Sequence, residues 1–185
     1  MKKIIDNGQP NGQPWTDKNT VHDYFPIYEQ EFDKILDINL LEIGIFMGGS
    51  MRVWDDHFEG NSLVLGIDNF AYTAFQIPED LWVDKDRVLV GDSTNPNGWD
   101  KALDGKEFDY IIDDGDHGLT AQIQTFDIFF NYVKKGGKYF IEDVNSEASL
   151  NTIKAYLADA GYNFKVYDVR QNKNRYDDII VVIYK

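Results

Sequence analysis

The sequence predicts an α/β domain: a doubly wound, mostly parallel sheet that ends in an antiparallel hairpin. Three observations carry that reading. Short runs rich in β-branched and aromatic residues alternate with stretches of helical spacing from Asn39 to Val144, and strand cores that are apolar along their length imply a parallel sheet covered on both faces. The last two β-rich runs are separated only by the polar link RQNKNR, too short for a crossover, so they pair antiparallel. A length of 185 residues suits one domain, and 43% hydrophobic with 15% aromatic residues supplies a large core.

The first fifteen residues are rich in Gly, Pro, Asn and Gln, and are expected to form a flexible N-terminal arm (1–15) ahead of a single domain (16–185). Val21, Tyr24, Phe25, Tyr28, Phe32, Ile35 and Leu36 recur at helical spacing, which predicts an amphipathic helix over 16–36 with a break or kink at Pro26. Strands are expected at 39–45, 62–68, 87–92, 108–114 and 138–144, and helices at 50–58, 120–133 and 146–160. NFKVYDV and DDIIVVIYK form the closing hairpin.

Charge narrows the function. The 18 Lys and Arg against 32 Asp and Glu leave a formal charge of −14, which disfavours binding to nucleic acid or to an anionic membrane, since both need clustered cations. No run reaches the roughly 18 apolar residues of a membrane span, and no apolar stretch follows the basic start. A cytoplasmic protein with neither nucleic-acid nor membrane partners is expected. The absence of cysteine excludes disulfides, thiolate metal sites and Cys nucleophiles, so any metal must be held by oxygen or imidazole.

In such sheets ligands bind beyond the carboxyl ends of the strands, near the point where strand order reverses. The first strand runs into LLEIGIFMGGS, with Glu42, Gly44, Gly48, Gly49 and Ser50. These glycines suit either a tight structural turn or close approach of backbone to a ligand at a helix start. Phe46 stands where a G-x-G-x-x-G motif would place its second glycine. Asp68 ends the second strand 20 residues after Gly48, where an acid grips both ribose hydroxyls and disfavours a 2′-phosphate. Asp92 ends the third, where it either accepts from an adenine amine or caps the STNPNG turn.

The fourth strand ends in DDGDH, with Asp113, Asp114, Asp116 and His117, and its expected neighbour ends in Glu142 and Asp143. Adjacent strands lie about 4.8 Å apart, so these acids converge and need a compensating charge. A hard divalent cation, Mg²⁺ first, held by Asp114, Glu142 and Asp143 meets that need; the alternative is that some of them cap the next helix or face solvent. His117 stands at the rim as a general base. His57, beside Asp55 and Asp56, reads as a surface residue or a C-terminal helix residue. Lys18, His22 and Tyr24 either cap the cofactor or belong to a helix N-terminus and its packed face.

Taken in order, TDKNTVHDYFPIYEQEF, LLEIGIFMGGSMRVW, LGID, GDSTNP, FDYIIDDGDH and GGKYFIEDV resemble the class I S-adenosylmethionine-dependent methyltransferases, and more narrowly the metal-dependent O-methyltransferases of macrolide sugars and cephalosporin-hydroxylase-like proteins. The resemblance implies a Rossmann-like methyltransferase sheet, S-adenosylmethionine and a divalent metal as cofactors, and a small hydroxylated acceptor. It implies cofactor contacts at Glu42, Gly44, Ser50 and Asp68, with Asp113 near the methionine part, and metal and base roles for Asp114, Glu142, Asp143 and His117. Lys18 and Tyr24 are expected on the cofactor side, with Gly48 and Asp92. Larger members carry an auxiliary domain before the matching region, so a more open site, or one covered by a second copy, is expected here. The Tyr and Trp side chains of YTAFQIPEDLW (72–82) offer a surface for a homo-oligomer. Two readings compete: a nicotinamide-dependent oxidoreductase, disfavoured by Phe46 and by the acid cluster, and a non-catalytic nucleotide- or metal-binding protein.

Overall fold

The computed structural model describes residues 2–185. Its strands are β1 (Asn39–Ile43), β2 (Leu63–Asp68), β3 (Val88–Val90), β4 (Phe108–Asp113), β5 (Val133–Ile141), β6 (Asn163–Asp168) and β7 (Ile179–Tyr184). They form one sheet in the order β3-β2-β1-β4-β5-β7-β6. β1 pairs in parallel with both β2 and β4, so strand order reverses beside β1, and five parallel strands bring their carboxyl ends to one edge. β7 runs antiparallel to β5 and β6, as the short link requires.

Helices α1 (Phe25–Glu31), α2 (Gly49–His57), α3 (Trp99–Leu103), α4 (Leu119–Phe129), α5 (Glu147–Asp159) and the four-residue α6 (Arg170–Lys173) complete the fold. Alternation along the strands divides the core into two layers. Leu40, Tyr110, Ile112, Phe140 and Val182 pack with Tyr28, Met51 and Trp54 of α1 and α2. Leu41, Ile111, Tyr139, Ile141 and Val181 pack with Trp99, Phe126 and Ile153 of α3, α4 and α5.

Two expectations differ from what is observed. The helical pattern over 16–36 is realised only at Phe25–Glu31, which carries Pro26 in its first turn; the preceding segment is irregular because Lys18, His22 and Tyr24 each reach a strand end. β5 begins at Val133 rather than 138, with a register shift against β4 near Phe108. Residues 2–15 form no helix or strand, yet Ile4 is buried and its N–H donates to Glu29 Oε1 at 2.9 Å, while Asp6 accepts from the N–H groups of Trp15 and Thr16. Among the described residues no helix is long and apolar enough to cross a membrane.

Candidate active site

Strand register decides which acids meet. Glu42 lies level with Ile112, and Ile112 with Phe140. The period of two then returns Asp114 and Glu142 to the α1/α2 face and sends Asp113 to the opposite one. Lys18 enters this face from the N-terminal segment, fully enclosed, with Nζ 2.6 Å from Asp114 Oδ2, 2.5 Å from Glu142 Oε2 and 3.5 Å from Glu42 Oε1. Burial alone would lower the Lys18 ammonium, but Asp114, Glu142 and Glu42 outweigh it and hold it well above its ordinary value. Glu142 is raised by burial and by Asp114 and Asp143 despite Lys18, and its other oxygen accepts from the Tyr28 hydroxyl. Glu42 accepts from Ser50 Oγ at 2.7 Å and Trp54 Nε1 at 3.2 Å.

The outer side of Asp114 meets a second group. Its Oδ1 lies 3.3 Å from His117 Nε2, and His117 Nδ1 lies 3.7 Å from Asp143 Oδ2. Asp143 adopts a left-handed backbone, φ 52°, that breaks strand alternation directly after Glu142. Its other oxygen accepts from the Tyr24 hydroxyl. The adjacent Asp114 carboxylate raises the His117 imidazole to about 9 against the burial that would lower it. Asp114, His117 and Asp143 each offer a donor atom within 4.8 Å of the others, the spread of a cation site. Glu142, expected as a ligand with Asp114 and Asp143, is not in that group; Lys18 and the Tyr28 hydroxyl meet its two oxygens.

Two cavities flank this cluster, and they share Gly44, Phe46 and Asp114. The first, about 440 Å³, lies over the ends of β1, β2 and β4 and is lined by Asp68, Asn69, Tyr72 and Asp92. The second, about 510 Å³, is lined by Trp15, Thr16, Asp17, Gly49, Ser50 and Trp82. Gly44 forms the floor between them at φ 85°; a Cβ there would lie 2.1 Å from the Asp114 carbonyl oxygen, so only glycine lets the two strand ends close. Asp68 accepts from the N–H groups of Phe46 at 2.8 Å and Phe70 at 2.6 Å, which fixes the loops on both sides of the first cavity. Asp92 lines it too while accepting from Thr94 N–H and Oγ1, so the turn-capping role is present alongside the cleft position.

Of the positions expected to touch a cofactor, Gly44, Ser50, Asp68 and Asp92 line a cavity. Asp113 does not: it faces Tyr139 in the α4/α5 layer, where burial raises its carboxyl to about 7. Glu42, Lys18 and Tyr24 lie beneath the cavities as partners of other side chains. Gly48, at φ 82°, starts α2 against Val83. Trp15, Tyr72 and Trp82 line the cavities without having been singled out as site residues. The aromatic content of 72–82, read as an oligomer surface, is the one sequence signal for Tyr72 and Trp82, and Trp15 has none; Tyr72 donates to the Phe46 carbonyl at 2.7 Å. His57 is buried rather than at the surface.

No protein-family model matches the chain. The demethylmacrocin O-methyltransferase of Streptomyces fradiae is 31% identical over 138 residues, 68% of this chain and 32% of that protein. The 8-demethyl-8-alpha-L-rhamnosyl tetracenomycin-C 2'-O-methyltransferase of Streptomyces olivaceus is 28% identical over 141 residues, 71% of this chain and 35% of that protein. Among solved structures, the MycE methyltransferase of the mycinamycin biosynthetic pathway, in complex with Mg and SAH, matches with a TM-score of 0.68 at 24% identity, over 91% of this chain and 51% of that one. The chain thus spans about a third of the length of these curated relatives and about half of that structure. Its fold is that of the class I methyltransferases, and it resembles sugar O-methyltransferases along some two thirds of its length.

Proposed function

We propose that this chain is an S-adenosylmethionine-dependent methyltransferase acting on a hydroxyl of a small, sugar-like acceptor with the help of a divalent cation. One observation carries the reading: the glycine-floored cleft beside Asp68 and the Asp114, His117 and Asp143 cluster share Asp114 as a common wall. The names of the similar proteins agree with it, and so does the Mg and SAH bound to MycE.

The residues present fit both groups. Gly44 keeps the cleft floor free of a side chain, and His117 Nε2 is buried without a hydrogen-bond partner beside carboxylate oxygens. When bound, S-adenosylmethionine supplies a methyl group on a positive sulfur, and the cation supplies charge that stabilises an acceptor alkoxide. Asp68 would orient the ribose hydroxyls and Asp92 the adenine amine. The start of α2 at Gly49 and Ser50 would receive the methionine carboxylate through free N–H groups. Asp114 and Asp143 would hold the cation by their outer oxygens, with Lys18 and Tyr24 fixing the inner ones. His117 would accept the acceptor proton. While both carboxylates are bare they keep its imidazole protonated; once they are neutralised that field is gone and the ring can act as a base.

The test supplies labelled S-adenosylmethionine with candidate sugars and diols, with added Mg²⁺ or with chelator. Transfer is expected only with metal, and His117→Ala is expected to lower kcat by roughly 10²–10⁴-fold. Transfer undiminished by both chelation and His117→Ala would sink the reading.

A further inference from the structure

The N-terminal segment and the C-terminal hairpin meet at a second cluster that methyl transfer leaves unexplained. His22 Nδ1 lies 2.6 Å from Asp178 Oδ1, and Asp177 stands beside them. Each of the three offers a donor atom within 4.8 Å of the other two. All are buried, with exposures of 5% for His22, 6% for Asp177 and 0% for Asp178. Two of their atoms, Asp177 Oδ1 and Asp178 Oδ2, are enclosed and accept no hydrogen bond. A buried carboxylate oxygen left unmatched keeps its full desolvation penalty, and the hydrogen bond from His22 satisfies only one oxygen of Asp178. Charge points the same way. Asp143 Oδ1 lies 3.6 Å from His22 Nδ1, Asp17 Oδ2 lies 3.7 Å from Nε2, and the guanidinium of Arg175 meets only Asp177 Oδ2, at 3.0 Å. Carboxylates outnumber cationic groups around this point.

We propose that His22, Asp177 and Asp178 form a second divalent-cation site, next to the Asp114 cluster on the other side of Asp143. A set of one imidazole and two carboxylates suits an ion that accepts nitrogen as well as oxygen, such as Mn²⁺, better than Mg²⁺ or Ca²⁺. The ion takes the place of the proton between His22 Nδ1 and Asp178, and that proton moves to Nε2, the ring nitrogen that faces Asp17. Asp17, 61% exposed at the far side of the ring, marks the route from solvent. The site would staple residues 16–24, which carry Lys18 and Tyr24, to the hairpin that precedes β7. It stands whether or not the chain transfers methyl groups.

The experiment titrates the metal-stripped full chain with Mn²⁺ alone, reading free ion by electron paramagnetic resonance. Wild type is expected to bind two ions per chain, Asp114→Asn one and His22→Gln one. If the Asp114 cluster holds no ion, wild type and Asp114→Asn each bind one and His22→Gln binds none, which still supports the second site. Should His22→Gln fail to give a native circular dichroism spectrum, the thermal midpoint of Asp114→Asn is followed against Mn²⁺; a rise supports the site and no shift overturns it. Equal stoichiometry in wild type and folded His22→Gln also overturns it.

Discussion

Lys18 sets the electrostatics of the strand ends, since one enclosed ammonium faces Glu42, Asp114 and Glu142 together. Replacing it by Met leaves those carboxyls without their cation, and breaking a buried pair in this way typically costs about 3–5 kcal/mol. The expected result is a lowered urea midpoint with unchanged slope; an unchanged midpoint would show that the three acids can hold one another through shared protons. Gly44→Ala tests the cleft floor at the same scale. Its Cβ would meet the Asp114 carbonyl and its backbone is left-handed, so a loss of at least ~1–3 kcal/mol is expected, with S-adenosylhomocysteine no longer raising the melting point. The positions of Gly44, Asp68, Asp92, Asp114 and His117 at the strand ends are legible in the sequence, since each needs only a strand end to be placed. Asp113, expected near the methionine part of the cofactor, lies on the opposite face from Asp114, because strand alternation separates two adjacent acids. The partners of Lys18 and Tyr24 are fixed by a fold-back across more than 90 residues, which no local pattern records.

At the scale of elements the sheet was largely legible, because apolar strand cores and a short hairpin link leave few topologies. The exceptions have local causes. Apolar spacing over 16–36 matched a helix, but side chains recruited to the strand ends pulled most of it out of helical form, leaving seven residues. Helix α5 illustrates the opposite case: Ser146 Oγ accepts from the Ser149 N–H at 3.1 Å, and Ser146→Ala is expected to cost about 1 kcal/mol in chemical denaturation. Asp109 ties β4 to its neighbours. Burial would raise its carboxyl, but the Asn39 N–H at 3.0 Å and the Lys134 ammonium at 2.7 Å outweigh it and hold it below its ordinary value. A depressed folded value means that the contribution is present above the unfolded value and lost as pH falls through the folded one. Asp109→Asn should therefore be less stable than wild type at neutral pH and approach it as pH falls below about 4; a gap constant across that range would contradict the assignment.

Over the whole molecule the formal charge of −14 is unevenly placed. One portion is gathered where β1, β4 and β5 end, answered from within by Lys18 and His117 and suited from without by a positive sulfur and a divalent ion. A thermal shift separates the candidate cofactors: S-adenosylhomocysteine at a hundredfold excess over its Kd is expected to add about 2.7 kcal/mol, and NAD nothing. Stabilisation by NAD alone would favour an oxidoreductase. The central claim, that the cleft over Gly44 and the cation cluster serve one reaction, is tested most directly by a crystal structure of the chain with S-adenosylhomocysteine and Mg²⁺. The account expects the ribose on Asp68, the sulfur directed toward Asp114, and the ion on Asp114 and Asp143. A ligand seated away from Gly44, or an ion that leaves both carboxylates untouched, would contradict it.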